Sequence, residues 1–379
     1  MTEHTTEAQH LGDPPLVLHV IPTPLARGAQ REARALADEL DRPGVRLHRV
    51  LSLFTGPAEV RTDFTLAHEG GDFPAVGFDW RLVVRLRSAL ERFDPSVVVA
   101  HGSEPLKYLV PAMLGRRRAL AYYAIGTYSG SGRRSQVELW KRLMARADVV
   151  AAEGEEVRDE CIARFGLPPA RVALAPNGRD PEVFRPPDRT AGAAPPLVTF
   201  VGALTTGKRP DRFIEVIAAL RARGIPLRAE LIGDGPLRTA VTGPAAAAGV
   251  DLLGSRSDVA DQLRRADLMV FPSRPAGEGM PGVLIEAGLS GLPVVATDVP
   301  GVNWMVKNGE TGFVVDIDDL PAMVAATARL VEDPELRATL GRAARTYCFD
   351  NFSIQAVAAR WTTILEPLLA SPRHRTRRR

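Results

Sequence analysis

The chain has 379 residues, enough for two domains of ordinary size, each with its own core. Its 45% hydrophobic and 25% charged residues are those of a soluble globular protein, no apolar run is long enough to cross a bilayer, and Met1–Pro15 lacks the basic and apolar regions of a secretory signal. The net charge of +3 is smaller than the five positive charges of Arg373, Arg375, Arg377, Arg378 and Arg379, so the body of the chain is not basic and general nucleic-acid binding is excluded. Cys161 and Cys348 have no metal-type spacing and fit a reduced, cytoplasmic setting.

Residues 1–14 read as a disordered lead-in. Leu16–Ile21 is an apolar run ending at Pro22, which predicts a strand, a loop over 23–28 and an amphipathic helix to about Leu40. Gly28 closes that loop, where it serves either a tight turn or the approach of a phosphate. The segment lacks the G-x-G-x-x-G of dinucleotide sites, which disfavours a dehydrogenase. Strands follow at about 45–54 and 97–100, with a helix over about 79–93 between them. His101 then stands at the carboxyl end of a parallel strand, the place where ligands of open α/β sheets gather, while His19 reads as a core or network histidine.

Further strands are predicted at 120–124, 147–152 and 172–175. The basic stretch 129–146 fits a solvated helix face or a surface for an anionic acceptor or membrane. The Pro- and Ala-rich segment 187–196 is a linker, so 15–186 forms one domain and 197–350 another. In the second, strands are expected at 197–201, 228–232 and 250–253. Asp234 is there either a ligand or a helix cap. Asp316 and Asp318 precede a helix and are read as capping, with no metal required. An amphipathic helix over 351–370 is expected to cross back onto the first domain, and the tail 371–379 to be disordered, with affinity for an anionic membrane.

The densest signal is 271–301. Leu268–Phe271 is a buried strand that stops at Pro272 in a Gly/Pro-rich loop, a helix begins near Pro281, and Val294–Ala296 is the next strand. The amides of Gly279, Met280, Gly282 and Val283 lie at that helix start, a place that attracts phosphate. Glu278 and Glu286 bracket it. Carboxylates repel phosphate and instead hold hydroxyls, so the pattern suits a diphosphate flanked by a ribose and a second sugar, that is, a nucleotide sugar.

This E-x7-E arrangement, set between F-P-S and G-L-P-V-V-A-T-D-V-P-G, resembles the donor-site motif of the retaining GT-B glycosyltransferases of family 4. The segment from Pro176-Asn-Gly-Arg-Asp180 to Phe184-Arg-Pro186 resembles the same family's crossing out of the first domain. The resemblance implies two doubly wound, Rossmann-like α/β domains facing a cleft, and transfer of a hexosyl group from a nucleoside-diphosphate donor to an acceptor hydroxyl, with no cofactor. It implies that Glu278 holds sugar hydroxyls, Glu286 the ribose, Lys208 the diphosphate, and His101 the sugar or acceptor. Gly28 lies near the diphosphate or acceptor, and the loops of Asp234 and Gly254 near the base. Two positions depart from the family pattern: Ile125 replaces a second histidine, and Ala203 an arginine that would contact the donor. Arg209 or Arg274 is the expected source of the missing charge. A nucleotide-sugar-binding protein without turnover, an epimerase and a phosphorylase are the alternatives.

Overall fold

The computed structural model describes residues 14–25, 28–66, 78–115, 118–126, 128, 134–187, 195–275 and 279–370. The lead-in up to 13, most of the linker, Glu278 and the tail 371–379 therefore lie outside the described residues.

The N-terminal domain is a seven-stranded parallel sheet in the order β3-β2-β1-β4-β5-β6-β7. The strands are β1 (Leu16–Ile21), β2 (Leu47–Ser52), β3 (Phe64–Thr65), β4 (Val97–His101), β5 (Ala119–Ala124), β6 (Val149–Ala152) and β7 (Val172–Leu174). Helices α1 (Gly28–Leu40), α2 (Trp80–Phe93), α3 (Ser103–Ala112), α4 (Arg134–Met144) and α5 (Glu155–Ala163) make the crossovers. Alternate residues of each strand face opposite layers, as the two-residue period requires. Leu18, Val20, Val98 and Ala100 join a core under α2 and α3, while Val17, Val97 and Val99 join one under α1.

The C-terminal domain repeats the design with six parallel strands in the order β10-β9-β8-β11-β12-β13. These are β8 (Leu197–Val201), β9 (Arg228–Ile232), β10 (Asp251–Gly254), β11 (Leu268–Phe271), β12 (Val294–Thr297) and β13 (Gly312–Val315). The helices are α6 (Pro210–Ala222), α7 (Arg238–Ala248), α8 (Val259–Arg265), α9 (Gly282–Leu289), α10 (Val302–Met305), α11 (Leu320–Glu332) and α12 (Pro334–Phe352). In both sheets the strand order reverses beside the first strand, between β1 and β4 and between β8 and β11. This is the two-domain GT-B architecture, and each reversal opens a crevice at the carboxyl ends of the strands.

The last helix, α13 (Ile354–Ala370), belongs by packing to the first domain: Ile354, Val357, Ala358, Trp361 and Leu365 are buried with Val17, Leu36 and Val97. No helix among the described residues is long and apolar enough to cross a membrane.

Candidate active site

The loops that leave the carboxyl ends of β5, β6 and β7 meet those that leave β11 and β12, and polar groups line both sides. Asn177 donates its backbone N–H to Met280 Sδ at 3.3 Å, and Gly301 donates its N–H to Glu156 Oε1 at 2.8 Å. Glu153 accepts from the Gly126 N–H at 2.6 Å and from Asn177 Nδ2 at 3.3 Å, while the Tyr123 hydroxyl donates to Asn177 Oδ1 at 3.0 Å. A Cβ added to Gly279 would stand 3.1 Å from Glu153 Oε1 and 3.6 Å from Gly126 Cα. Glycine is thus the residue that lets this loop approach the other domain.

Pro281 precedes the first residue of α9, and no side chain among the described residues caps the helix. A helix start without a side-chain cap is a place where an anion is favoured. Glu286, one turn in, points across the domain boundary: its Oε1 accepts from Arg179 Nε at 2.8 Å. Arg179 Nη1 lies 3.4 Å from Glu32 Oε2, and Glu32 Oε1 accepts the Gly178 N–H at 2.8 Å. Burial drives the Glu32 carboxyl up to about 7 against the pull of Arg179. Burial also opposes the Arg179 charge, but Glu286 and Glu32 more than offset it and hold the guanidinium above its ordinary value.

Lys208 leaves the sheet next door, in the loop after β8, with Nζ 5.1 Å from the centre of the Phe271 ring. Ala203 lies in the same loop and brings no charge. Gly279, Met280, Gly282, Glu286 and Lys208 are therefore grouped at adjoining strand ends of the C-terminal sheet. Gly28 opens α1, exposed and with nothing among the described residues within 4 Å of an added Cβ, so they do not demand a glycine there.

Other expected residues stand elsewhere. Arg209, in the left-handed region at φ 54°, turns to Asp211 at 3.1 Å and lies 3.7 Å from Asp318; Arg274 lies 3.6 Å from the same Asp318. Both guanidinium groups gather around the exposed carboxylate of Asp318. Asp319, not Asp316 or Asp318, caps α11 by accepting the Ala322 N–H. Asp234 accepts the Gly235 N–H and pairs with Arg238 at 3.1 Å, while α7 has no side-chain cap. Gly254, at φ 70°, turns its carbonyl to the Gly233 N–H, which joins the two loops.

His101 is 2% exposed. Its Nε2 lies 2.9 Å from His19 Nδ1, and His19 Nε2 lies 2.9 Å from His48 Nδ1. The ring turns inward beside Tyr123 and Trp361, on the face of the sheet that α13 covers.

Glu32, Glu153, Asn177 and Arg179 were not singled out as site residues from the sequence. Glu32 carried a readable signal: it is four residues before Leu36 and eight before Leu40, on the buried stripe of α1, where an unpaired carboxylate is costly.

Residues 26–183 match the Glycosyltransferase Family 4 model and residues 195–333 the Glycosyl transferases group 1 model, most of the chain between them. Each sheet of the GT-B architecture thus carries its own glycosyltransferase match, family 4 in the first domain and group 1 in the second. The D-inositol 3-phosphate glycosyltransferase of Rhodococcus opacus is 31% identical over 239 residues, 58% of this chain and 53% of that protein. This chain thus matches about half the length of that relative. The GDP-mannose-dependent alpha-(1-6)-phosphatidylinositol monomannoside mannosyltransferase of Mycolicibacterium smegmatis is 28% identical over 304 residues, 74% of this chain and 79% of that one. Among solved structures, Anabaena Alr3699/HepE in complex with UDP and glucose superposes with a TM-score of 0.75 at 19% identity, over 92% of this chain and 99% of that one. That likeness concerns the fold.

Proposed function

We propose that this protein transfers a sugar, with retention at the anomeric carbon, from a nucleoside-diphosphate sugar to an acceptor hydroxyl, and that it needs no metal to do so. The observation that carries the reading is the position of Glu286: a carboxylate one turn inside an uncapped helix start, at the boundary between two Rossmann-like domains, with Oε1 engaged and the side chain 18% exposed. Ribose hydroxyls donate to that carboxylate and the diphosphate lies over the amides of Gly282 and Val283, with Lys208 adding charge. Glu278 completes the set on the sugar side. The bond from the anomeric carbon to the diphosphate oxygen breaks, the acceptor oxygen bonds to that carbon on the same face, and the acceptor proton passes to the departing phosphate oxygen. Apposition of the domains excludes water from this exchange. The printed names of the relatives, an inositol-phosphate glycosyltransferase and a phosphatidylinositol-mannoside mannosyltransferase, favour a polyol or polyol-lipid acceptor.

The test is release of free nucleoside diphosphate from a panel of UDP-, GDP- and ADP-sugars, with and without myo-inositol phosphate or a cell extract as acceptor. Release that depends on acceptor, and that falls by about two to three orders of magnitude in Lys208→Ala, is expected. A second reading, binding without turnover, is favoured by Ala203 and by the existing Arg179–Glu286 pair. Donor binding without release under any acceptor would establish it and end the transferase reading.

A further inference from the structure

One cation reaches from the first domain into the donor cleft of the second. The backbone of Arg179 is pinned where the chain returns: its N–H donates to the Phe352 carbonyl at 2.9 Å and its carbonyl accepts the Ile354 N–H at 2.8 Å. From that fixed base Nε donates to Glu286 Oε1, while Nη1 turns to Glu32 Oε2 and to the Gly178 carbonyl at 2.9 Å. Nη2 has no acceptor among the described residues. It lies against the first turn of α9, since a Cβ added to Gly282 would collide with it. Glu286 is complementary: Oε1 is engaged and Oε2 has no partner among the described residues. The two side chains keep 21% and 18% of their exposure, so neither open edge is sealed.

A strut that served only to join the domains would satisfy both ends within the protein. Here one guanidinium edge and one carboxylate oxygen are left side by side, a donor for an anion next to an acceptor for a hydroxyl. A nucleoside 5′-diphosphate offers that pair of groups, a ribose diol a few bonds from its phosphates. We propose that Arg179 is a donor-binding residue contributed by the N-terminal domain: Nε orients Glu286 so that Oε2 meets a ribose hydroxyl, and Nη2 takes part of the diphosphate charge that Ala203 leaves unmet. The proposal rests on the transferase reading above but can fail separately from it. It also makes donor binding sensitive to how the two domains sit, because the cation and the helix it serves belong to different sheets.

The test compares full-length wild type, Arg179→Gln and Arg179→Lys by calorimetric titration with UDP, GDP and ADP and with the matching nucleosides. Glu32→Gln/Arg179→Gln is added, because it does not leave the fully buried Glu32 carboxylate deprived of its cation should the single variant fail to fold. The readout is the ratio of diphosphate to nucleoside affinity, which a general loss of stability does not move. Arg179→Gln and the double variant are expected to lower that ratio about 10- to 100-fold. Arg179→Lys is expected to retain most of the ratio but to bind the nucleoside more weakly, since an ammonium cannot hold Glu286 and face the phosphates at once. An unchanged ratio in the Gln variants, with wild type binding a nucleoside diphosphate, would overturn the role of Arg179 and leave the transferase reading in place. Wild type binding none of the three diphosphates would overturn both.

Discussion

Three imidazoles in a row show what sequence alone withholds at the scale of single residues. His48, His19 and His101 come from β2, β1 and β4, and only parallel pairing of those strands brings them into line. Three neutral rings carry three N–H groups, and the two internal hydrogen bonds use two of them, so one end of the row must be a donor and the other an acceptor. Burial lowers His101 to about 3, burial with the nearby Arg46 lowers His48 to about 3, and burial with the two neighbouring histidines lowers His19. Each folded-state pKa lies below the unfolded value, so the folded state binds fewer protons between about 3 and 6.5. The stability contributed by neutral histidines is present above pH 6.5 and is lost as pH falls towards 3. The expected slope is about 1.4 kcal/mol per pH unit for each histidine below its unfolded pKa. Denaturant titrations of wild type and His19→Gln at pH 5, 6 and 7.5 check this: the wild-type stability should fall more steeply below pH 6.5, and parallel curves would contradict it. The same hidden pairing accounts for Arg179, whose carboxylate partners stand 107 and 147 positions away in the chain.

At the scale of elements much was legible. Strands β1, β8, β9 and β11 run over the residues their apolar stretches predicted, and α9 begins one residue after Pro281. Each such strand is buried along most of its length and is followed by a proline or glycine, so its end is written locally. The two-residue β3, Phe64–Thr65, carries no such pattern and is held by pairing with β2. Helix α9 shows a further constraint that spacing does not reveal. A Cβ at Gly288 would collide with Cys348 Sγ on α12, and Cys348 is 1% exposed. Gly288→Ala would gain about 1 kcal/mol of helix propensity, but overpacking a filled interior costs about 1–3 kcal/mol. Overpacking is expected to prevail, because the thiol has little room in which to yield. Removing the sulfur should reverse the sign: Gly288→Ala/Cys348→Ala should be more stable than the sum of the two single variants by about 1 kcal/mol or more, measured by urea unfolding. Additive single effects would show that the helices separate at no cost.

For the molecule as a whole, α13 follows the second domain in sequence but completes the core of the first. Trp361 is fully buried with Tyr123 at a ring distance of 5.3 Å, and Val357 and Leu365 are buried beside it. Neither core cluster of the C-terminal domain contains a residue of α13. The chain is therefore closed on itself. The first domain cannot finish its core until α13 has been added, whereas the second is expected to form without it. Trp361→Ala should then cost about 3–5 kcal/mol, all of it in the N-terminal domain. Ending the chain after Ser353 should do more, by uncovering the whole apolar face between α1 and the sheet. Hydrogen exchange of that shortened protein is expected to show β8, β9, β11 and β12 still protected while β1, β4 and β5 exchange freely. Protection retained in β1 and β4 would mean that the first domain folds without its last helix. Nucleoside diphosphate binding provides an independent readout of the same dependence: the second domain would persist, but the backbone hydrogen bonds that pin Arg179 between Phe352 and Ile354 would be broken at Ile354, so affinity should fall even though every donor-side residue after Leu197 is intact.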